Sequence, residues 1–415
     1  MTKCVLGDVA KRIQTGPFGS QLHQCDYSLS GTPVVMPKDL SDGTIVDATI
    51  ARVGPQHVER LARHKLKEGD LLFSRRGDVG RCALVRKEQE GWLCGTGCLR
   101  VELDVEKADY KYLYYFLRRD DVAKWLESHA VGAIMLNINP SIVSQLPVVL
   151  PSLDAQHNIA KVLSTIDRKI ALNRKRIATL EAMAKEIYDY WFVQFDFPDA
   201  HGRPYKSSGG AMVYNPDLKR EIPKGWCSDN LLRISKLIPG GTPSKDRPDY
   251  WNGTIPFFGP TDCKGGIFQF KTVDAVTQDG LDHCAGTLMS ENTVIITARG
   301  SIGKMVICGI PMTMNQSCFA FEEVAGRYEY LYFKVKELIQ YLLLKGNGTT
   351  FKSIVTIDIE NSILCFADDA TIDCFTDRVR PLFACIKNAT KEIESLFSLR
   401  DFLLPLLMNG QVKEE

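Results

Sequence analysis

Two short glycine-flanked turns carry the side chains best suited to hold an anion: FSRRGDVGR at Phe73 to Arg81 and ITARGSIGK at Ile296 to Lys304. In each, an arginine (Arg76, Arg299) precedes one glycine and a second cation (Arg81, Lys304) follows another, so small residues allow phosphates to approach closely. The first turn lies in a basic stretch. From Arg60 to Lys87 nine Lys or Arg stand against three acids, a local +6, although the whole chain carries only +1. The alternative for Arg76 and Arg299 is structural, pairing with carboxylates or backbone carbonyls inside the domain.

Residue patterns that could make or break bonds are weaker. Adenine methylation needs a flipped base held by a proline-bearing polar motif. The two candidates, Asn139-Pro140-Ser141-Ile142 and Asn215-Pro216-Asp217-Leu218, lack the second proline and aromatic residue of such a motif. Gly95-Thr96-Gly97 is too short to count as a cofactor turn, and the chain has no Walker A lysine loop and no nuclease carboxylate cluster. Cys82, Cys94 and Cys98 lie close together, but without a CxxC pair or a histidine at finger distance they do not predict a metal site. The seven histidines are scattered, and the chain reads as non-catalytic, with no cofactor of its own.

The elements that must position the basic turns are organised around one stretch, Ser152 to Phe195. Ile159, Leu163, Ile166, Ile170, Asn173, Ile177, Leu180, Ala184, Ile187 and Trp191 recur at steps of four and three, the seam spacing of a coiled coil, uninterrupted by glycine or proline. Asn173 on this seam reads either as a register-fixing core amide or as a solvent-edge position, and the first is preferred. The C-terminus repeats the pattern through Phe375, Val379, Leu382, Ile386, Ala389, Ile393, Leu396, Leu403 and Leu407. An offset of 216 carries Ile166 to Leu382, Ile170 to Ile386, Ile177 to Ile393 and Leu180 to Leu396. Pro381 and Pro405 each remove a backbone donor and are expected to kink or end this second helix.

The globular parts repeat as well. The basic turns match at offset 223, YKYLYYFL (Tyr110 to Leu117) matches YEYLYFKV (Tyr328 to Val335) at offset 218, and TGPFGS (Thr15 to Ser20) stands against GGTPS (Gly240 to Ser244). The pattern predicts an α+β fold with an internal pseudo-twofold repeat. Two similar strand-rich domains (1–151 and 227–367) are separated by two long helices (152–195 and 368–412) that form a coiled-coil spacer, with a loop-rich connector over 196–226. One helix is expected from Ala108 to Glu127, its tyrosines serving as core. At 415 residues, 45% hydrophobic and 24% charged, the chain reads as soluble and globular. With no membrane span, no signal pattern at the start and thirteen cysteines that fit reduced, buried thiols, a cytoplasmic location is expected.

These features together resemble the specificity subunit of type I restriction-modification enzymes, over essentially the whole chain. WFVQFDFPDAHGRPYKSSGGAMVYNPDLKREIPKGW (Trp191 to Trp226) looks like that family's connector, and LPVVLPSLDAQHNIAKVLSTID (Leu146 to Asp167) like the lead-in to its central helix. FADDATIDCFTDRV (Phe366 to Val379) departs from the usual proline and glutamine pattern before the second helix. The resemblance implies that the two spacer helices run antiparallel, with two target recognition domains entering the major groove of double-stranded DNA at a separation of roughly one turn, about 34–36 Å or somewhat more. The target would be bipartite and asymmetric, with helix length setting the gap between its halves. It also implies assembly with methyltransferase subunits, two of them, and with restriction subunits. Those partners would bring S-adenosylmethionine, ATP and magnesium.

On this reading Arg76, Arg81, Arg299 and Lys304 position the DNA backbone, since they match between domains with different targets. Base readers should come from segments where the copies diverge, with Gln21, Lys38, Arg75, Asn315 and Gln316 as candidates. Ile166, Ile170, Asn173, Ile177, Leu180, Ile386, Ile393 and Leu396 form the spacer seam. A second reading, a coiled-coil adaptor that never touches DNA, explains the duplication but not the basic turns.

Overall fold

The computed structural model describes residues 2–132, 135–345 and 353–411. Residues up to 169, together with those from 396 onward, form one compact unit, and residues 170–395 form a second. In the first unit β1 (Ala10–Thr15), β2 (Leu71–Ser74), β3 (Cys82–Leu84) and β4 (Cys98–Leu103) make an antiparallel sheet ordered β1-β4-β2-β3. The second unit's sheet comprises β5 (Ser235–Pro239), β6 (Phe268–Gln269), β7 (Val294–Thr297), β8 (Met305–Cys308) and β9 (Cys318–Glu323). Its order is β5-β9-β7-β8-β6, the same four-strand arrangement with β6 added in parallel at the edge. LLFS in β2 and VIIT in β7 are buried at every position, as expected of short apolar runs ended by glycine turns. Each unit adds a smaller sheet with a parallel pair, Leu93–Cys94 on Thr32–Val35 and Thr313–Met314 on Trp251–Phe258.

The span expected as one helix over 108–127 is two, α1 (Tyr110–Leu117) and α2 (Asp120–His129). Arg118 leaves the helical path to meet Asp42 at 2.8 Å, and Arg119, in extended conformation, pairs with Asp121 at 2.9 Å. Asp120 and Asp121 then sit in the first turn of α2, where a helix N-terminus favours acids. Tyr112, Tyr115, Phe116 and Leu117 are all buried in the first unit's core.

Helix α3 (Leu153–Tyr188) runs 36 residues and continues as a π-turn over Asp189–Val193. In the second unit α4 (Tyr328–Lys345), the counterpart of α1, is unbroken over 18 residues, and α5 (Asp369–Met408) spans 40. Within the first unit Asp167 of α3 meets Arg400 of α5, and Ile159 and Leu163 share a core with Leu407 and Met408. Within the second, Asn173 donates to Glu392 at 2.8 Å and Arg176 reaches the Cys385 sulfur. Rising numbers on α3 meet falling numbers on α5, so the helices run antiparallel.

Pro381 and Pro405 do not break α5, contrary to expectation. Pro381 faces solvent, while Val379, Phe383 and Ile386 beside it are fully buried, and that packing outweighs the loss of one backbone donor. Leu382, expected on the seam, is only half-buried, and Phe383 takes the core position. The connector contains a hairpin, Met212–Asn215 with Arg220–Pro223, as well as loops. Residues 1 and 412, outer limits expected for the domains, lie outside the described residues.

Candidate nucleic-acid interface

The strand register brings three loops to one end of the first unit's sheet: the opening loop after β1, the basic turn after β2 and the Gly95–Gly97 segment before β4. Gly16 N donates to Cys98 O (2.9 Å), Arg75 N to Gly97 O (2.8 Å), and Thr96 Oγ1 to Pro17 O (3.0 Å). The second unit ties the same three loops: Ala298 N donates to Ser317 O (2.8 Å), as Arg75 does to Gly97, while the opening loop is held by different bonds, Gly241 N to Met314 O (3.1 Å) and Thr242 Oγ1 to Gln316 Oε1. The crossing is so close that a Cβ on Gly16 would lie 1.9 Å from Gly95 O, and one on Gly240 1.9 Å from Asn315 O. Both basic turns close by the same 2.9 Å bond, Ser74 N to Arg81 O and Thr297 N to Lys304 O. Gly77 and Gly300, at φ +77° and +74°, supply the left-handed residue each turn needs.

The four backbone-positioning candidates separate into two kinds. Arg76 and Arg299 are exposed, are bridged only through backbone to Asn137 and Ser353, and have no side-chain partner among the described residues. Arg81 instead pairs with Asp78 (2.5 Å) and donates to Leu40 O (3.5 Å), and Lys304 donates to Cys263 O (3.3 Å). Those two brace the turn against neighbouring backbone.

Among the base-reading candidates, Gln21 accepts from Arg63 Nη2 at 3.1 Å, and Arg75 lies over the Phe18 ring at 5.7 Å. Lys38 is exposed and donates to Thr49 O (3.2 Å), a contact outside this group. Asn315 Oδ1 accepts from Ser317 N at 2.9 Å, which fixes its own turn, and Gln316 is held by Thr242. Of the seam residues, Ile166, Ile170, Asn173, Ile386 and Ile393 are buried, and Ile177, Leu180 and Leu396 are half-buried.

A cleft of about 360 Å³ beside the opening loop is lined by Arg12, Gln14, Phe18, Arg63 and His64, residues that sequence reasoning did not single out. The divergence of TGPFGS from GGTPS is the signal that could have pointed toward Phe18 and Thr242. Among the described residues Arg12, Arg63, Arg75 and Arg76 have no carboxylate at ion-pair distance, so their field is left for a ligand. Burial, and then the neighbouring Arg63 and Arg100, push the His64 pKa down to about 4. The neutral ring accepts from Arg63 Nε at 3.0 Å.

This histidine makes stability depend on pH in a definite direction. An unfolded chain protonates His64 below about pH 6.5 while the folded unit resists until about 4. The unfolded state therefore binds more protons in that window, and stability falls as pH drops through it, by up to about 3 kcal/mol. Asp70, raised to about 6 by burial, acts in the opposite sense, so the His64 contribution is read by difference. His64→Gln is expected to lose less stability than the parent between pH 7 and 4.5, measured by urea unfolding.

The possible catalytic strings are spent on backbone. Asn139 Oδ1 caps a helix through Ile142 N (2.9 Å), and Asn215 Oδ1 closes a hairpin turn through Asp217 N and Leu218 N (both 3.0 Å). Burial pushes the Cys82 and Cys94 thiols up to about 12, which keeps them protonated. Among the described residues no group of three or more His, Cys, Asp or Glu is placed to hold a metal.

A family model described as the type I restriction modification DNA specificity domain matches residues 4–182 and again 223–364. The specificity subunit of type I restriction enzyme MjaIX from Methanocaldococcus jannaschii is 25% identical over 397 residues, covering 94% of this chain and 89% of the relative. That of HindI from Haemophilus influenzae is 21% identical, covering 85% and 88%. The crystal structure of a type I restriction-modification S subunit from M. genitalium superposes with a TM-score of 0.61 at 17% identity, covering 98% of this chain and 95% of that one.

Proposed function

This chain belongs to the type I restriction modification DNA specificity family, and from that membership we propose that it is the recognition subunit of a type I restriction-modification complex, reading a bipartite, asymmetric DNA target. It is non-catalytic and directs partner subunits to the site. The observation that carries this reading is the duplicated three-loop end. The same scaffold presents in each unit an exposed arginine, Arg76 and Arg299, with no side-chain partner among the described residues, beside loops whose side chains mostly differ between the two units.

The domain roles follow. Residues 1–151 and 227–367 are the two target recognition domains, 152–195 and 368–412 the spacer helices, and 196–226 the connector. The spacer sets the gap between half-sites. Two methyltransferase subunits join the chain, followed by restriction subunits. S-adenosylmethionine, ATP and magnesium belong to those partners, and the complex works in the cytoplasm. Among the described residues no helix is long and apolar enough to cross a membrane.

The direct test is a genome-wide map of N6-methyladenine in cells expressing this chain with its methyltransferase, against cells lacking it. A new split motif with two short unequal halves at fixed spacing is the expected result. Active methyltransferase with no new motif would favour the adaptor. A second expected result concerns salt. Arg76→Ala and Arg299→Ala should each weaken binding of the assembled complex uniformly across sequences and lower the slope of log affinity against log salt by about one. An adaptor would show no such slope.

A further inference from the structure

Phe18 is a large apolar residue at the tip of the opening loop, 54% exposed, in a loop that is otherwise firmly tied. Thr96 fixes Pro17 on one side, and on the other Gln21 Oε1 accepts from Phe18 N (3.4 Å) while Gln21 N donates back to Phe18 O (2.8 Å). Arg75 lies over the ring at 5.7 Å, half-buried, with its Nε shielded and lacking an acceptor. Single exposed apolar residues are ordinary. An exposed ring on a backbone pinned by three hydrogen bonds, with a guanidinium over its face and arginines without carboxylate partners around it, is a built feature.

We propose that Phe18 is a specificity-determining residue that reads the 5-methyl group of a thymine in the half-site of the first domain, in the major groove of an undistorted duplex. This rests on the DNA-recognition reading above. Three observations select the ligand. The surrounding cations match phosphates, which places the ring against duplex DNA. Nearly half of its surface is already covered, too much for a wedge driven between base pairs. The thymine methyl is the apolar group that the major groove offers to such a surface.

At the matched place in the second unit stands Thr242, hydrogen-bonded to Gln316, a polar pair with no ring. Methyl reading by a ring should therefore occur in one half-site only, and any contact from the Thr242 methyl is independent of Phe18.

The experiment uses the full chain assembled with its methyltransferase and a duplex carrying the mapped motif. Each thymine is replaced in turn by deoxyuridine, which deletes the methyl alone, and affinity is measured for wild type, Phe18→Leu and Phe18→Ala. One position in the half-site of the first domain should weaken wild type about fourfold, the effect of losing roughly one buried methyl-sized group. Phe18→Leu should keep part of that dependence and Phe18→Ala none. The proposal is overturned if the coupled half-site contains no thymine, or if every deoxyuridine effect persists in Phe18→Ala. It is equally overturned if Phe18→Ala changes DNA bending without any methyl dependence. Failure of the wild-type complex to bind duplex DNA at all overturns the underlying reading, and this one with it.

Discussion

Replacing Phe383 by alanine should destabilise the second unit by about 3–5 kcal/mol, the cost of removing a fully buried aromatic side chain together with the cavity it leaves. Its ring lies 5.6 Å from that of Tyr332, 6.0 Å from Phe333 and 6.1 Å from Tyr328, each at an interplanar angle of 75–83°. Edge-to-face pairs of this kind add to the area term, and none can re-form around a methyl group. Phe383 belongs to α5 and its three partners to α4, so the substitution loosens the attachment of the strand-rich domain to the helix. Urea unfolding of the full chain tests this. Intrinsic fluorescence from Trp191, Trp226 and Trp251 reports on the second unit, and that transition should shift while the one reported by Trp92 and Trp125 stays in place. Phe383→Leu keeps most of the volume but none of the ring pairs, and should cost about 1–3 kcal/mol, less than Phe383→Ala.

The position of Phe383 also marks where sequence reasoning stops. A heptad identifies the buried stripe of α3 because helix period and burial period are the same quantity. Its seam residues from Ile159 to Trp191 all lie on the buried or half-buried side. Asn173, which spacing left between two readings, is buried and bonded to Glu392. On α5 the same rule points to Leu382, and only three-dimensional packing selects the neighbouring phenylalanine. The prolines of α5 were misleading for a related reason: local propensity is small beside the burial of their neighbours.

The interface was legible as chemistry but not as geometry. The matched turns identified four cations, and nothing in their spacing could say that Arg81 and Lys304 brace backbone while Arg76 and Arg299 have no side-chain partner among the described residues. Phe18 and Thr96 are brought together by a bond between loops far apart in sequence, and no local pattern records it.

The repeat itself yields the last expected result. In the first unit Tyr115 Oη donates to Asp167 Oδ2 at 2.7 Å and Arg400 Nη1 donates to Asp167 Oδ1 at 3.1 Å, joining α1, α3 and α5. The offsets of 218 and 216 carry Tyr115 to Phe333, Asp167 to Phe383 and Arg400 to Ala184, and all three of those residues are buried. The duplicated junction is thus polar in one unit and apolar in the other. Asp167→Ala would leave the Tyr115 hydroxyl without its acceptor, and Arg400, whose side chain is 13% exposed, with Asp401 as its remaining carboxylate and the Phe397 ring beneath it. A cost of about 2–3 kcal/mol follows, near the lower end for a broken buried pair because water reaches part of Asp167. Installing the other junction whole, as Tyr115→Phe, Asp167→Phe and Arg400→Ala, leaves no polar group stranded and should recover much of that loss. Asp167→Phe alone, with the guanidinium still facing it, should not. Unfolding free energies of the singles and the triple give the coupling directly. A triple variant no more stable than Asp167→Phe would mean that the two junctions are not equivalent places in the repeat.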